Sequence, residues 1–396
     1  MESVVQQRVR RYRWAILAAG IVAQASFSAI LLGLPAIAPA IRHGYALTLP
    51  QVGVVLAALN FGLVVTLLPW GLVADRIGER AVLGTGLLGC ALALVLAGRT
   101  ASYGALVGTL ALAGALGGGV QSASGRAVMS WFAPEERGLA LGIRQTAVPV
   151  GGAIAAGVLP ALSSHVSLHS AFYALAGGCA FAAVVGLALL RAEPGDDHGE
   201  LSRPLRDSRV WLLCVGSTFY VATQTALVGF VVLFLHDARG VSSGAAAAAL
   251  AVIQVLGGAA RIGAGRWSDR FALRIVPLRL IALCLSAATT AAAVLVHAPL
   301  WILVPVLVAA GTFALSWNGL SYTAAAEAAG RARSGAAIGL QQTFLSAGSI
   351  VAPISFAAVV HHTSWRLGFL LAAASPLLGY AALTPLREKG DARRSG

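Results

Sequence analysis

Residues 71–80 read GLVADRIGER, and residues 265–274 read GRWSDRFALR. At a constant offset of 194, Gly71 matches Gly265, Asp75 matches Asp269, Arg76 matches Arg270 and Arg80 matches Arg274. Each copy is a short charged turn between two long apolar stretches. A charged turn repeated at half-chain spacing describes a molecule of two related halves, each built from membrane-crossing helices.

Composition agrees with that reading. Of the 396 residues, 58% are hydrophobic and only 11% charged, against about a quarter charged in a soluble domain. A helix needs about 20 apolar residues to cross a bilayer, and twelve such stretches can be placed. In the first half they run over roughly 14–40, 52–74, 81–99, 103–130, 138–163 and 170–190, and in the second over roughly 210–236, 244–268, 277–297, 300–326, 335–360 and 366–386. The predicted organisation is an N-terminal six-helix bundle over 1–190, a polar linker over 191–209, a C-terminal six-helix bundle over 210–386 and a tail over 387–396.

The net charge of +13 does not describe a nucleic-acid surface. Most of the 28 Lys and Arg fall in the termini and the even-numbered connections, with four in the odd-numbered ones (Arg42, Arg99, Arg239 and Arg366). This positive-inside bias predicts a multi-pass protein of the cell membrane with both termini in the cytoplasm. The basic N-terminus, with Arg8, Arg10, Arg11 and Arg13 before an apolar run from Trp14, reads as an uncleaved first helix rather than a signal peptide. Cys90, Cys179, Cys214 and Cys284 all sit in apolar stretches without metal or disulfide spacing, so they read as packing residues. No metal or other cofactor is expected.

The duplication reaches beyond the turns. Asn60 matches Gln254 at the offset of 194, and Trp14–Trp211, Gln121–Asn318, Gly142–Gly339 and Gln145–Gln342 match at 197. A drift of three residues is what an insertion in a loop produces.

The first turn closely resembles G-x-L-A-D-R-x-G-x-R, the signature between helices two and three of the major facilitator superfamily. The resemblance covers the whole chain. It implies an all-α membrane fold of twelve transmembrane helices in two pseudo-symmetric six-helix bundles, carrying a small molecule by alternating access without enzyme chemistry. It also implies a latch formed by Gly71, Asp75, Arg76, Gly78, Arg80, Asp269 and Arg270. In this family the acid matching Asp75 faces the start of helix eleven, here near residues 334–337, where an anion meets the positive end of a helix dipole. Arg76 and Arg80 are expected to pair with Glu79, Glu135 or Glu136. In the second copy Ala272 stands where the first has Gly78, which puts the latch role of that copy in question.

Every acidic residue falls in a loop or at a helix end, whereas Arg126, Arg144 and Arg261 lie inside helices. An arginine at mid-helix costs about 2.5–3.5 kcal/mol on insertion scales and reads first as functional. The repeat equivalents are Thr323, Gln341 and Leu67, so the shared fold does not require these charges. Arg261-x-x-x-Gly265-x-x-x-Asp269 resembles a helix-eight pattern of facilitator branches that carry nitrate or nitrite, monocarboxylate, or oxalate and formate. In those branches the arginine holds the anion. The competing reading is a side chain reaching back about 12 Å, or eight residues, to the interface. Arg144 is read as substrate contact, gate or interfacial anchor, and Arg126 as structural, pairing with Asp75 or Glu135.

Uncharged polar residues complete the expected cavity. Gln24, Asn60, Gln121, Gln145, Gln224, Gln254, Asn318 and Gln342 fall on helices 1, 2, 4, 5, 7, 8, 10 and 11, the cavity-lining helices by resemblance. The expected function is therefore secondary transport of a small organic or inorganic anion, by symport or antiport, through a monomer. The candidate partners are that anion, a coupling proton and the lipid bilayer. Without a mid-membrane carboxylate, coupling would pass through the substrate's own ionisation, a peripheral histidine such as His297, or anion exchange. The alternative is export of neutral or acidic drugs by proton antiport. A segment with Pro149, Gly151 and Gly152 in helix five resembles, imperfectly, a motif of drug/proton antiporters. His361-His362 reads as a solvated pair.

Overall fold

The computed structural model describes residues 2–191, 207–330, 333–386 and 388. Most of the expected linker, including Glu193, Asp196, Asp197, His198 and Glu200, lies outside them, as does most of the expected tail. Among the described residues all regular structure is helical, and twelve helices are long and apolar enough to cross a membrane. They are α1 (Tyr12–Gly44), α2 (Gln51–Ile77), α3 (Glu79–Ala97), α4 (Tyr103–Trp131), α5 (Pro134–His165), α6 (Leu168–Leu189), α7 (Ser208–Ala238), α8 (Ala248–Phe271), α9 (Ile275–Val294), α10 (Leu300–Ala329), α11 (Ser334–His362) and α12 (Trp365–Leu383).

Local chemistry marks where they start. The side chains of Ser102, Ser167, Asp207 and Ser364 each accept a backbone N–H from the first turn of α4, α6, α7 and α12. Thr48 and Gln51 form a capping box ahead of α2. Four helices are interrupted: α1 by a tight turn over Leu34–Ile37, α4 at Gly118, α5 at Thr146 and α10 at Trp317.

The chain gathers into two compact units. The first comprises Met1–Ala133, Arg144–Pro204 and Ala329–Thr343, and the second Pro134–Ile143, Leu205–Ala328 and Phe344–Gly396. The opening turns of α5 thus belong with α7–α10, and those of α11 with α1–α4. Each unit has an apolar core, around Leu87, Leu94 and Phe172 in the first and around Phe234, Leu285 and Phe369 in the second.

Backbone-to-backbone packing holds each exchanged turn. In the first unit a Cβ on Gly339 would lie 2.5 Å from the Leu67 carbonyl oxygen, and one on Gly71 2.6 Å from that of Gly335. In the second, a Cβ on Gly142 would lie 2.7 Å from the Arg261 carbonyl oxygen, and one on Gly265 would collide with the Gly138 backbone. Only glycine fits such crossings, and small residues are what let helix backbones approach in lipid.

A carboxylate then meets each helix start. Asp75 accepts the backbone N–H groups of Gly335 at 3.0 Å and Ala336 at 2.8 Å. Asp269 accepts those of Gly138 at 3.0 Å and Leu139 at 2.7 Å. The donors match at the offset of 197 and the acids at 194, so one device occurs twice. Its supports differ. Arg126 lies 3.4 Å from Asp75 and pairs with Glu79, whereas Arg274 bonds Asp269 at 2.6 Å, Glu327 at 3.0 Å and the Pro134 carbonyl. Burial disfavours the charge on Arg274, yet Glu327 and Asp269 overcome it and push its pKa up.

Two expectations change here. Arg76 and Arg80 are exposed and form no ion pair among the described residues, because Glu79 turns inward to Arg126. The second copy makes its cap despite Ala272, whose backbone is left-handed (φ 54°, ψ 31°) where Gly78 in the first copy has φ 85° and ψ 159°. Arg270, also expected in the latch, is exposed over the Phe271 ring.

Three substitutions read these features. Gly339→Val is expected to lower the detergent-solubilised melting temperature, by about 1–3 kcal/mol of stability, while Gly157→Val, with nothing within 4 Å of its Cβ, leaves it nearly unchanged. Asp269→Ala strands two helix-start N–H groups and removes one of the two acids that hold Arg274, so a loss of about 3 kcal/mol is expected. Ala272→Gly relieves left-handed strain of about 1–2 kcal/mol against an unfolded-state cost of about 0.4–1. Its expected result in the same assay is a small rise in melting temperature.

Candidate functional site

Interrupted helices leave carbonyl groups without their helical partner, and in apolar surroundings those groups need another donor. In α4 the break at Gly118 leaves the Ala115 carbonyl to Thr66 Oγ1 at 2.8 Å and Trp70 Nε1 at 2.7 Å, both from α2. In α10 the break at Trp317 leaves the Leu315 carbonyl to Arg261 Nε at 2.6 Å, from α8. One architectural need is met by neutral donors in the first unit and by a guanidinium in the second. The Arg261 side chain is buried, 6% exposed, and does not extend into solvent.

Arg144 forms a second polar centre, in the first unit, where the break at Thr146 ends the opening segment of α5. It is fully buried. Its Nη2 donates to Gln24 Oε1 at 3.0 Å, to Gln121 Oε1 and the Gln121 carbonyl at 2.9 Å, and to Ser124 Oγ at 2.8 Å. Its Nε reaches the same Ser124 hydroxyl at 3.0 Å, and its Nη1 reaches Gln145 Oε1 at 3.2 Å. Gln24 passes the network to Ser28 at 3.4 Å. Four of the sequence-predicted residues, Gln24, Gln121, Arg144 and Gln145, therefore meet around one cation. Ser124 was not anticipated, although it follows Gln121 by three positions and so shares its face of α4.

In the second unit Asn318 opens the segment after the α10 break and donates to Gln224 Oε1 of α7 at 3.0 Å. Asn60 and Gln254 take no part in these contacts among the described residues. Asn60 donates to the Leu56 carbonyl of its own helix at 3.4 Å, and Gln254 and Gln342 are half-buried on α8 and α11. Arg126 belongs to the Asp75 turn. His297 is exposed, and so are His361 and His362, whose rings lie 5.0 Å apart. Two clefts of matched composition flank the helices. One of about 520 Å³ is lined by α7, α11 and α12 residues such as Ala222, Gly348 and Ala372. The other, of about 180 Å³, is lined by their equivalents on α1, α5 and α6, Ala25, Gly151 and Leu175. Both are almost wholly apolar, so neither suits a charged ligand.

Comparisons with known proteins agree with this architecture. The sequence profile of the Major Facilitator Superfamily matches residues 16–353. A Mycobacterium tuberculosis protein described as the uncharacterized MFS-type transporter Rv2994 is 33% identical over 397 residues, covering 97% of this chain and 88% of that protein. The probable sulfoacetate transporter SauU of Cupriavidus necator is 26% identical over 383 residues, covering 88% and 87%. Among solved structures, the human organic anion transporter MFSD10 superposes with a TM-score of 0.75 at 16% identity, covering 95% of this chain and 99% of that one. The Escherichia coli fucose:proton symporter FucP superposes at 0.72 with 18% identity, covering 94% and 97%. With its twelve apolar helices, its twin capped turns and a family match over most of its length, the chain belongs to the major facilitator superfamily and is a multi-pass membrane transporter.

Proposed function

We propose that this transporter moves a small organic or inorganic anion across the cytoplasmic membrane by alternating access, with both termini in the cytoplasm. The observation that carries the reading is the burial of two guanidinium groups, Arg144 and Arg261, within helices whose acidic residues all sit at their ends. Gln24, Gln121, Ser124 and Gln145 satisfy hydrogen bonds of Arg144 without cancelling its charge. A carboxylate, sulfonate or nitrate is the ligand that such a buried positive charge attracts, and arginine's planar fork suits any of them. The names of two similar proteins, a probable sulfoacetate transporter and an organic anion transporter, point the same way.

Asp75 and Asp269 serve as the latch in this reading. Each holds a helix start through two backbone N–H groups, and a transport cycle releases and remakes those bonds. Coupling then draws on the ionisation of the substrate or on exchange of one anion for another, since the spans offer no mid-helix carboxylate to carry a proton.

Purified protein in liposomes is expected to take up at least one of sulfoacetate, short monocarboxylates or nitrate saturably, and to ignore a neutral sugar. Replacing Arg261 or Arg144 by Gln removes a charge-assisted hydrogen bond of about 1.5–3 kcal/mol. Transport efficiency for that anion is expected to fall about 10–100-fold. Wild-type rates in both variants, or broad drug sensitivity of a deletion strain without any anion uptake, would favour the drug-export alternative.

A further inference from the structure

Three helices of the first unit bring their polar–apolar boundaries to one place. The apolar run of α1 begins at Trp14, α4 ends at Trp131 followed by Phe132, and α6 ends at Leu189, two residues before Arg191. There the Arg191 guanidinium stands over the Tyr12 ring, 4.9 Å from its centre, and Arg13 stands 5.3 Å from the centre of Phe132 and 5.7 Å from that of Trp14. Tyr12 meets Trp131 at 5.4 Å, and Trp14 meets Phe132 edge-on at 5.5 Å. The shelf is anchored to backbone at both sides: the Tyr12 hydroxyl donates to the Leu189 carbonyl at 2.7 Å, and Trp131 Nε1 to the Arg191 carbonyl at 3.0 Å.

The repeat shows that the fold does not need this cluster. At the offset of 197 its members correspond to Arg209, Val210, Trp211, Ala328, Ala329 and Glu388. Of its four aromatic residues only Trp14 keeps an aromatic equivalent there, Trp211, and an acid takes the place of Arg191. Glu388 turns in to cap α9, accepting the backbone N–H groups of Ile275 at 2.6 Å and Val276 at 2.8 Å. Arg191, by contrast, is exposed and pairs with no carboxylate among the described residues. Trp14 is 46% exposed beside it.

We propose that the shelf formed by Tyr12, Arg13, Trp14, Trp131, Phe132 and Arg191 binds the headgroup of an anionic phospholipid. Tryptophan and tyrosine belong at the level of lipid headgroups. The Arg191 guanidinium, held by its face on the Tyr12 ring, keeps its N–H rim for a phosphodiester. Arg191 holds the phosphate, the positive charge of Arg13 beside it adds to the attraction, and the exposed face of Trp14 packs on the glycerol and upper acyl chain. The arginines at positions 8, 10 and 11 stand just upstream in the sequence and add to the attraction for a negative membrane surface.

Native mass spectrometry of the full chain, in micelles doped with equal phosphatidylglycerol and phosphatidylcholine, tests this. The wild type is expected to retain phosphatidylglycerol in preference. Combining Arg13→Gln with Arg191→Gln is expected to lower that preference about thirty-fold, two basic contacts each contributing about fivefold. Arg191→Gln alone, a change at an exposed side chain, gives a partial loss even if the double variant folds poorly, and Arg191→Lys keeps most of the preference. Arg209→Gln, the loss of a basic residue of the second unit outside the shelf, leaves it unchanged. Equal retention of both lipids by the wild type overturns the proposal, as does an undiminished preference in the Arg191→Gln protein. Displacement of the bound lipid by millimolar glycerol phosphate makes the site one for soluble phosphate and overturns it equally.

Discussion

A helix that starts inside an apolar assembly presents N–H groups with no partner in the preceding turn. In this chain the opening turns of α5 and α11 meet that problem with an aspartate each, Asp269 buried and Asp75 half-buried. Asp269 binds the starts of α5 residues Gly138 and Leu139, and Asp75 those of α11 residues Gly335 and Ala336. The glycine contacts at Gly71, Gly265, Gly142 and Gly339 follow from it, because a short carboxylate reaches two successive amides only when the backbones nearly touch. The basic supports follow as well. An acid removed from water needs compensation beyond two amides, and Arg126 and Arg274 supply it from different elements.

Duplication has therefore preserved a geometry while leaving its supporting residues free to change. The break in α10 makes the same point. Its unpaired carbonyl takes a hydrogen bond from Arg261, where the break in α4 takes two from Thr66 and Trp70. Arg261 thus carries a structural bond at the break in addition to the transport role proposed for it.

Much of this was legible in the sequence because bilayer thickness is a severe constraint. Every expected span ends within about four residues of the helix that forms. The contact of Asp75 was accessible through its motif, and the break at Gly118 is flagged by a run of three glycines. Other features leave no local trace. Nothing around Trp317 announces a broken helix, since Pro305 lies twelve residues earlier. The pairing of Glu79 with Arg126 links residues 47 apart, and only the packing of α3 on α4 brings them together. Ala272 misled for a different reason. A glycine is the usual occupant of a left-handed turn, yet a non-glycine residue persists there at modest cost when several bonds define the turn. Here Asp269 and Ser268 both receive backbone donors from the turn itself.

The surroundings of Arg144 show why burial of a charge and cancellation of a charge are separate matters. A guanidinium has five N–H groups, and leaving one unpaired in an apolar interior costs about 1–3 kcal/mol. Gln24, Gln121, Ser124 and Gln145 meet that demand with neutral oxygen atoms, three of them on carboxamides. Carboxamides are two-sided: an oxygen committed to the arginine directs the paired NH2 group elsewhere. Each glutamine fixed in this way converts a positive charge at the centre into hydrogen-bond donors at the edge of the cluster. A polar core built from acids would absorb the charge and end the chain of polarisation there. One built from amides passes it outward as hydrogen-bond donors.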